Sequence, residues 1–425
     1  MKTANKTNRR DFLKQTTYAA AIAPLAVHAA GSDVIKVGLI GCGGRGTGAA
    51  AQALQADENI KLVAMGDLFA DRLETSLNTL TKTSAVADKV KVKQDHQFVG
   101  WNAFEQVLAS DVDSVILTTP PHFRPAHLKA AIAAGKHVFA EKPVAVDAQG
   151  IRSVIESCKL AKKKNLSVVS GLCLRYGYGF RKIMQRIHGG EIGDIHTLFA
   201  NDYRSSIWYK ERQPDWTDMH YQMRNWYYYT WLSGDFNVEQ HVHYLDICAW
   251  AKGDYPVKAI GMGGREVRNE AKYGNIFDHH NVVYEFADGA RLVSNTRQIP
   301  RCKNDMSTQI FGSHGKANIN ERRRGIYLEQ TGQERWIYDG EENNFYQTEH
   351  DEMYAAIRAG KPINNGNYMA KSTLLAIMGR MATYSGQEVT WQQAFESKED
   401  LSPKKYAWGE APKTPIAIPG VTPVT

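Results

Sequence analysis

VIKVGLIGCGGRG, residues 34–46, is the stretch that decides the fold. Its first seven residues are mostly apolar and branched, a pattern that predicts a short buried strand. Gly41, Gly43 and Gly46 then follow at the spacing of a turn in which the backbone approaches the pyrophosphate of a dinucleotide and a helix begins. Residues 47–55 are helix-forming, so this helix would present its positively polarised N-terminus to the phosphates.

Strands and helices alternate after this turn. Residues 61–65, 114–118 and 137–140 are strand candidates, and residues 126–134 are a helix candidate between the last two. Such alternation predicts an α/β fold with a doubly wound parallel sheet, whose ligand lies beyond the carboxyl ends of the strands. The N-terminal domain is therefore expected to be a Rossmann domain.

Asp67 follows the second strand candidate directly, roughly 20 residues beyond the glycines. An acid at this place accepts hydrogen bonds from ribose hydroxyls and repels a 2′-phosphate, so NAD is expected rather than NADP. Thr119-Pro120 and Glu141-Lys142 follow two further strands and point at the same edge. The predicted cofactor contacts are Gly41, Cys42, Gly43, Arg45, Gly46, Asp67, Thr119, Pro120, Glu141 and Lys142.

These residues resemble a known family, the glucose–fructose oxidoreductase, inositol dehydrogenase and MocA-like (Gfo/Idh/MocA) oxidoreductases. The most specific match is GKHVFAEKP, residues 135–143, together with the glycine turn, Thr119-Pro120-Pro121 and His127. The resemblance implies a C-terminal α/β domain with a large open, mostly antiparallel sheet, and substrates that are sugars or polyols. It also implies that Lys142 contacts the reacting hydroxyl group.

Four regions are predicted: an export signal at 1–29, the NAD-binding domain at 30–150, a substrate and oligomerisation domain at 151–385, and an extended arm at 386–425. The last 25 residues contain five prolines and little periodicity. The arm is therefore expected either to be loose or to lie over a neighbouring subunit. Because the exposed face of an open sheet must be covered, the chain is expected to form a homo-oligomer, a dimer or a tetramer.

A second group of polar residues lies between residues 234 and 250. On one continuous helix, Glu239, His243 and Asp246 would share a face between apolar flanks and would line a buried cleft. The family motif usually has Asp at the position of Glu239 and Gly at that of His241. Hydride removal from a secondary alcohol needs a base, and a histidine held by a carboxylate suits that role. The predicted catalytic residues are Lys142, His243 and Glu239.

Aromatic residues are concentrated between Tyr203 and Trp231, where ten of 29 residues are Tyr or Trp. Their flat apolar faces suit stacking on sugar C–H groups as well as ordinary packing. A zinc site on His241 and His243 is disfavoured because residues two apart on a helix point in different directions, so no metal is expected. The predicted substrate contacts are Arg175, Tyr228, Tyr229, His241 and Asp246.

The net charge of +7 is concentrated near the N-terminus, where the first 29 residues contain five basic residues and one acidic residue. NRRDFLK, residues 8–14, precedes an Ala-rich stretch and resembles a twin-arginine export signal, with cleavage expected near Ala29. The remaining charge of +3 forms no basic stripe, so nucleic acid binding has little support. The protein is expected in the periplasm or otherwise exported, after passage through the bacterial twin-arginine translocation machinery.

An exported dehydrogenase is expected to keep NAD bound and to regenerate it in place, because free nicotinamide cofactor is scarce outside the cytoplasm. The sequence thus predicts an oxidoreductase that acts on a secondary alcohol of a sugar or sugar derivative. The alternative is an NAD-dependent glycoside hydrolase that works by transient oxidation, elimination, water addition and re-reduction. A third interpretation is a non-catalytic sugar-binding protein with structural NAD.

Overall fold

Six parallel strands form the sheet of the N-terminal domain in the computed structural model, which describes residues 34–320 and 324–424. They are β1 (Ile35–Ile40), β2 (Ile60–Asp67), β3 (Gln97–Val99), β4 (Ser114–Leu117), β5 (His137–Ala140) and β6 (Val168–Ser170). Their spatial order, β3-β2-β1-β4-β5-β6, is that of a doubly wound dinucleotide-binding sheet. The predicted Rossmann domain is confirmed, whereas the predicted export signal lies outside the described residues.

Thirteen α-helices occur in the described residues. They are α1 (Gly44–Gln55), α2 (Ala70–Lys82), α3 (Ala103–Ala109), α4 (Arg124–Ala133), α5 (Ala148–Lys163), α6 (Tyr178–His188), α7 (Asp218–Arg224), α8 (Thr230–Ser233), α9 (Phe236–Glu239), α10 (Val242–Lys252), α11 (Phe345–Arg358), α12 (Gly366–Ser385) and α13 (Trp391–Glu396). No helix among the described residues is long and apolar enough to cross a membrane.

The second domain contains a nine-stranded sheet in the order β14-β13-β12-β11-β7-β10-β9-β8-β15. Its strands are β7 (Ile195–Arg204), β8 (Lys258–Gly264), β9 (His279–Glu285), β10 (Arg291–Gln298), β11 (Asp305–Gly312), β12 (Gly315–Ile319), β13 (Tyr327–Gln330), β14 (Trp336–Ile337) and β15 (Val389–Thr390). Every neighbouring pair is antiparallel except β7 and β10. The predicted large, mostly antiparallel sheet is therefore confirmed.

One face of this sheet is covered and the other is open. Helices α10 and α12 pack on the covered face. Along β9 and β10 buried and half-buried residues alternate, as period-two side-chain directions require. On the open face Met262 is 71% exposed and Ile260 is 53% exposed. The sheet thus has one buried face and one face, with Ile260 and Met262 exposed on it, that this chain does not cover.

The cofactor domain takes segments from beyond the predicted boundary at residue 150. β6 pairs with β5, and the Val168 amide donates to the Ile363 carbonyl at 2.8 Å. Helix α11 packs on α1, and Arg358 binds Asp57 at 2.9 Å. The chain therefore returns to the first domain after it completes most of the second sheet. This arrangement depends on contacts between residues that are far apart in the sequence.

The C-terminal arm packs on its own chain and is not loose, while its contact with a neighbouring subunit stays a prediction. Its predicted first residues instead form β15 and α13, and β15 adds to the edge of the large sheet at β8. Further along, Asn275 donates to the Pro415 carbonyl at 3.2 Å, and the Gly420 amide donates to the Ser385 carbonyl at 2.8 Å. A backbone carbonyl and a backbone amide of the proline-rich segment thus find partners on the folded body.

Candidate active site

A cavity of about 480 Å³ lies at the carboxyl ends of β1, β2 and β4. The turn after β1 forms its floor. Gly41 has φ +98°, and a Cβ there would meet the Thr119 amide nitrogen at 2.6 Å. A Cβ on Gly46 would lie 2.0 Å from the Gly41 carbonyl oxygen, so the third glycine lets α1 pack against the turn.

The space above the turn fits a pyrophosphate. A Cβ added to Gly43 or Gly44 would meet no atom within 4 Å, although both residues line the cavity. Helix α1 begins at Gly44, and no side chain caps its first amides. Exposed amides at a helix N-terminus bind phosphate well, so these residues can hold a dinucleotide.

Asp67 is fixed by the backbone at the end of β2. Its carboxylate accepts the Cys42 amide at 2.6 Å and the Phe69 amide at 2.8 Å. Burial raises the pKa of this carboxyl group, while these two amides act in the opposite direction. Asp67 lines the cavity and is positioned to meet the ribose hydroxyls of a dinucleotide bound on the glycine turn.

Arg45 connects the glycine turn to the motif that carries Lys142. Its guanidinium donates to Glu141, and it lies 3.2 Å from Glu349. Burial and the nearby Glu141 raise the pKa of Glu349 well above its usual range. Since the other Glu141 oxygen accepts the Lys142 amide at 3.1 Å, this network fixes the backbone at Lys142.

Lys142 reaches across to the second domain. Its ammonium group donates to the main-chain oxygen of Glu239 at 2.8 Å and to the carboxylate Oε1 at 3.2 Å. The two side chains are only 14% and 12% exposed, which strengthens their attraction relative to a surface pair. The contact brings the end of β5 and the end of α9 to one point.

His243 lies on the first turn of α10 and is buried. Burial, followed by the positive charges of Lys142, Arg204 and Arg45, lowers the pKa of its imidazole well below the usual range. The ring is therefore neutral at neutral pH, and its Nδ1 has no hydrogen-bond partner. A neutral imidazole with an unused ring nitrogen can accept a proton.

The expectation that one continuous helix carries Glu239, His243 and Asp246 is wrong. Residues 240 and 241 separate α9 from α10, and Asp235 precedes α9 with φ +77°. Neither predicted carboxylate holds His243 through a hydrogen bond. Glu239 is engaged with Lys142, and Asp246 accepts two bonds from Arg175 at 2.8 and 2.9 Å.

Two family models match the chain and together span more than half of it. The "oxidoreductase family, NAD-binding Rossmann fold" matches residues 35–170, and the "GFO/IDH/MocA C-terminal domain" matches residues 180–318. The chain belongs to the Gfo/Idh/MocA oxidoreductase family. It is an oxidoreductase with an NAD-binding Rossmann domain.

Named relatives and solved structures are similar to this Gfo/Idh/MocA protein. Inositol 2-dehydrogenase of Serratia proteamaculans is 25% identical over 292 residues, which are 68% of this chain and 74% of that protein. A glycosyl hydrolase family 109 protein of Solibacter usitatus is 25% identical over 260 residues, 57% of this chain and 56% of that protein. The crystal structure of aldose-aldose oxidoreductase from Caulobacter crescentus complexed with glycerol has a TM-score of 0.65 at 18% identity, covering 84% of this chain and 99% of that one.

Most predicted cofactor contacts line the cavity of this oxidoreductase, namely Gly41, Gly43, Arg45, Gly46, Asp67, Thr119 and Pro120. Cys42, Glu141 and Lys142 do not line it. The Cys42 thiol is buried and lies 3.6 Å from the Gly66 carbonyl oxygen, so only its backbone faces Asp67. Glu141 and Lys142 lie instead in the network that leads to Glu239.

The outer wall of the cavity comes from both domains, and none of its residues is among the individually predicted contacts. This wall contains Phe69, Arg72, Trp101, Phe123, Trp208, Lys210, Met223, Arg224 and Trp226. The concentration of aromatic residues before Trp231 was the available signal, and Trp208 and Trp226 are the members of it that reach the cavity. No sequence pattern indicated Arg224 as a wall residue, because the residue with which it pairs is far away in the sequence.

The predicted substrate contacts have partners in the interior. Arg175 and Asp246 pair with each other, and Arg175 also lies 4.0 Å from the centre of the Tyr368 ring. His241 is fully buried and hydrogen-bonds Ser294 at 2.7 Å, and the Tyr228 hydroxyl donates to the Ile207 carbonyl at 3.0 Å. Tyr229 is 6% exposed. These geometries give the residues structural partners, and contact with substrate stays a prediction.

Two substitutions in the glycine turn test its assignment as the pyrophosphate-binding turn. Gly46→Ala is expected to destabilise the nucleotide-free protein by about 1–3 kcal/mol, because the new Cβ would meet backbone and Thr118. Gly43→Ala is expected to leave the melting temperature unchanged, because Gly43 has φ −73° and open space above it. It should weaken NAD binding because the Cβ enters the space for the pyrophosphate.

Thermal unfolding and calorimetric titration with NAD measure the two effects. Wild-type affinity in Gly43→Ala, or wild-type stability in Gly46→Ala, would contradict the assignment of this turn.

Proposed function

We propose that this protein is an exported oxidoreductase that oxidises a secondary alcohol of a sugar or polyol with NAD that stays bound throughout the cycle and passes the hydride on to an acceptor sugar. The observation that carries the proposal is the buried contact of Lys142 with Glu239, together with a buried, neutral His243 on which the charge of Lys142 acts. Its relative named inositol 2-dehydrogenase supports a cyclic polyol or sugar as the substrate class. When bound, NAD supplies the hydride acceptor.

The chain's own residues handle the proton. An ammonium group has three N–H donors, and Lys142 directs two of its contacts to Glu239. A third donor can meet the substrate oxygen and favour development of negative charge on it. His243 can accept the hydroxyl proton because its ring is neutral, and the charge of the resulting imidazolium would make it release that proton readily.

The site supports NAD more than NADP. The Asp67 carboxylate is held by two backbone amides at the edge where the ribose is expected, and a negative charge there repels a 2′-phosphate. Arg72 also lines the cavity, and its charge acts on Asp67 to lower that carboxyl's pKa. The attraction between Arg72 and Asp67 leaves less positive charge to bind a 2′-phosphate.

The glycosidase alternative is favoured by one observation, the similarity to the glycosyl hydrolase family 109 protein. That chemistry needs an additional base at the neighbouring carbon and an acid for the leaving group. The candidates for these roles are the tyrosines 227–229 and His241. Burial raises the pKa of Tyr228 to about 12 and lowers that of His241 to about 3. The Tyr227 hydroxyl accepts from Gln298, the Tyr228 hydroxyl donates to the Ile207 carbonyl and His241 hydrogen-bonds Ser294. These side chains already have interior partners, so the oxidoreductase is the better-supported function.

The decisive experiment uses the purified protein without added nucleotide. Bound nucleotide is released by denaturation and identified by mass spectrometry, and sugars, inositols and aryl glycosides are screened for turnover. We expect NAD in the released fraction and a keto sugar or lactone formed together with an equal amount of reduced acceptor. Lys142→Met and His243→Asn should each lower turnover by about 100-fold or more while leaving the bound nucleotide in place.

Lys136→Met is the matched control, because Lys136 belongs to the same GKHVFAEKP motif but lies at the other end of β5 and donates to the Val112 carbonyl at 2.7 Å. It should retain wild-type turnover. Aglycone release without net reduced nucleotide would instead select the glycosidase. Absence of all turnover in wild type would select a sugar-binding protein, and rapid exchange of external NAD would contradict a retained cofactor.

The proposal of export rests on the N-terminal sequence, which resembles a twin-arginine signal. Isolation of the protein from a host with this pathway should yield a periplasmic protein that begins near residue 30. Replacement of Arg9 and Arg10 by Lys should retain the precursor in the cytoplasm. A full-length protein that stays cytoplasmic in the wild type would disprove export.

We also propose that the open face of the large sheet joins two or more copies of the chain. Ile260 and Met262 expose apolar side chains on this face, where contact with water is unfavourable. Light scattering should show a dimer or tetramer for the wild type, and Met262→Glu should produce smaller species. The surface-exposed Val421, 75% exposed and outside this sheet, offers Val421→Glu as a control. A monomeric wild type would refute the proposal.

A further inference from the structure

Two aromatic residues of the C-terminal segment lie against the wall of the cofactor cavity. The Trp408 ring centre is 5.2 Å from that of Trp101 and 5.6 Å from that of Phe69, both of which line the cavity. The Tyr406 ring centre is 5.8 Å from that of Phe123, a third lining residue. The segment is therefore continuous with the outer wall of the nucleotide site.

Tyr406 also forms a hydrogen bond with the cofactor domain. Its hydroxyl hydrogen-bonds the His122 Nε2 at 2.8 Å. Burial lowers the pKa of His122 to about 4, so this ring is neutral at neutral pH. The contact thus persists as an ordinary hydrogen bond across the physiological range.

The same segment holds helix α7 of the second domain. The Met219 amide donates to the Gly409 carbonyl at 3.0 Å, and the Gly409 amide donates to the Thr217 hydroxyl at 3.2 Å. The Trp408 ring lies 5.1 Å from the His220 ring. Residues 406–409 consequently bind both domains at once, on the same side of the cavity.

Helix α7 closes the cavity from the second domain. Its last residue, Arg224, lines the cavity and donates to both oxygens of Asp71 on α2, at 2.8 and 2.7 Å. The Arg224 guanidinium also lies 3.7 Å from the centre of the Phe69 ring. A bidentate arginine–carboxylate contact fixes both distance and orientation, so α7 is held over the nucleotide domain.

We propose that residues 406–409 form a clasp that retains the bound dinucleotide. With Arg224 and Asp71 they join the two domains across the outer wall of the cavity, so the nucleotide leaves only after these contacts separate. Residues 406–409 lie outside both matched family segments, 35–170 and 180–318, whereas Asp71 and Arg224 lie within them. The inference rests on the proposed function, since it supplies a physical reason for a cofactor that is not exchanged in each cycle.

The test is the double variant Tyr406→Ala/Trp408→Ala in the full chain. Each protein is loaded with NADH, excess NAD is added, and loss of the fluorescence of bound NADH gives the dissociation rate. The variant should release NADH at least about tenfold faster than wild type, because contacts that close a site act mainly on the dissociation rate. It should also lose nucleotide during repeated desalting.

Ile418→Ala/Val421→Ala is the matched control, since these residues of the same C-terminal segment are 57% and 75% exposed. It should release NADH at the wild-type rate. Should the double variant fail to fold, Trp408→Leu removes the ring contacts with less loss of apolar volume, and faster release is again expected.

Release from a folded variant at the wild-type rate would overturn the clasp while leaving the retained cofactor intact. If wild type itself releases NADH within a catalytic cycle, the retained cofactor and the clasp are both wrong. In that case sugar oxidation with added NAD would still distinguish an ordinary dehydrogenase from a protein without this activity.

Discussion

The contact between Lys142 and Glu239 is the interaction on which the arrangement of the site depends. Lys142 follows the last residues of β5 in the nucleotide domain, and Glu239 ends α9 in the second domain. Because both side chains are largely buried, separation of the pair would leave two uncompensated charges in a region of low dielectric. The contact therefore joins the two domains at the place where the proposed function puts the substrate hydroxyl.

The charges around this contact are paired, and that pairing explains the state of His243. Glu239 is engaged with Lys142, Glu141 with Arg45, and Asp246 with Arg175. None of these three carboxylates hydrogen-bonds His243, while burial and nearby cations act against an imidazolium. A histidine in this environment accepts a proton only transiently, which suits a base that must pass the proton on before the next turnover.

The nucleotide half could be predicted from the sequence because its features are local. The glycine turn, the strand that precedes it and Asp67 depend on neighbouring residues and on a fixed chain direction. The break at residues 240–241 and the pairing of Arg175 with Asp246 depend on tertiary contacts, which helical periodicity cannot report. The packing of the C-terminal arm on its own chain could not be predicted either. Isolated prolines and aromatics indicate an extended segment but not the surface that it contacts.

The central claim is that a sugar reduces the resident dinucleotide at the site formed by Lys142, Glu239 and His243. Rapid mixing of the purified protein with its sugar, without added nucleotide, tests this claim directly through the absorbance of reduced nicotinamide. The account predicts that up to one equivalent per subunit appears in the first turnover, and that His243→Asn slows its appearance without changing the amount of bound nucleotide. Turnover of the sugar with no reduced nicotinamide formed, or formed only after NAD is added, would contradict the account.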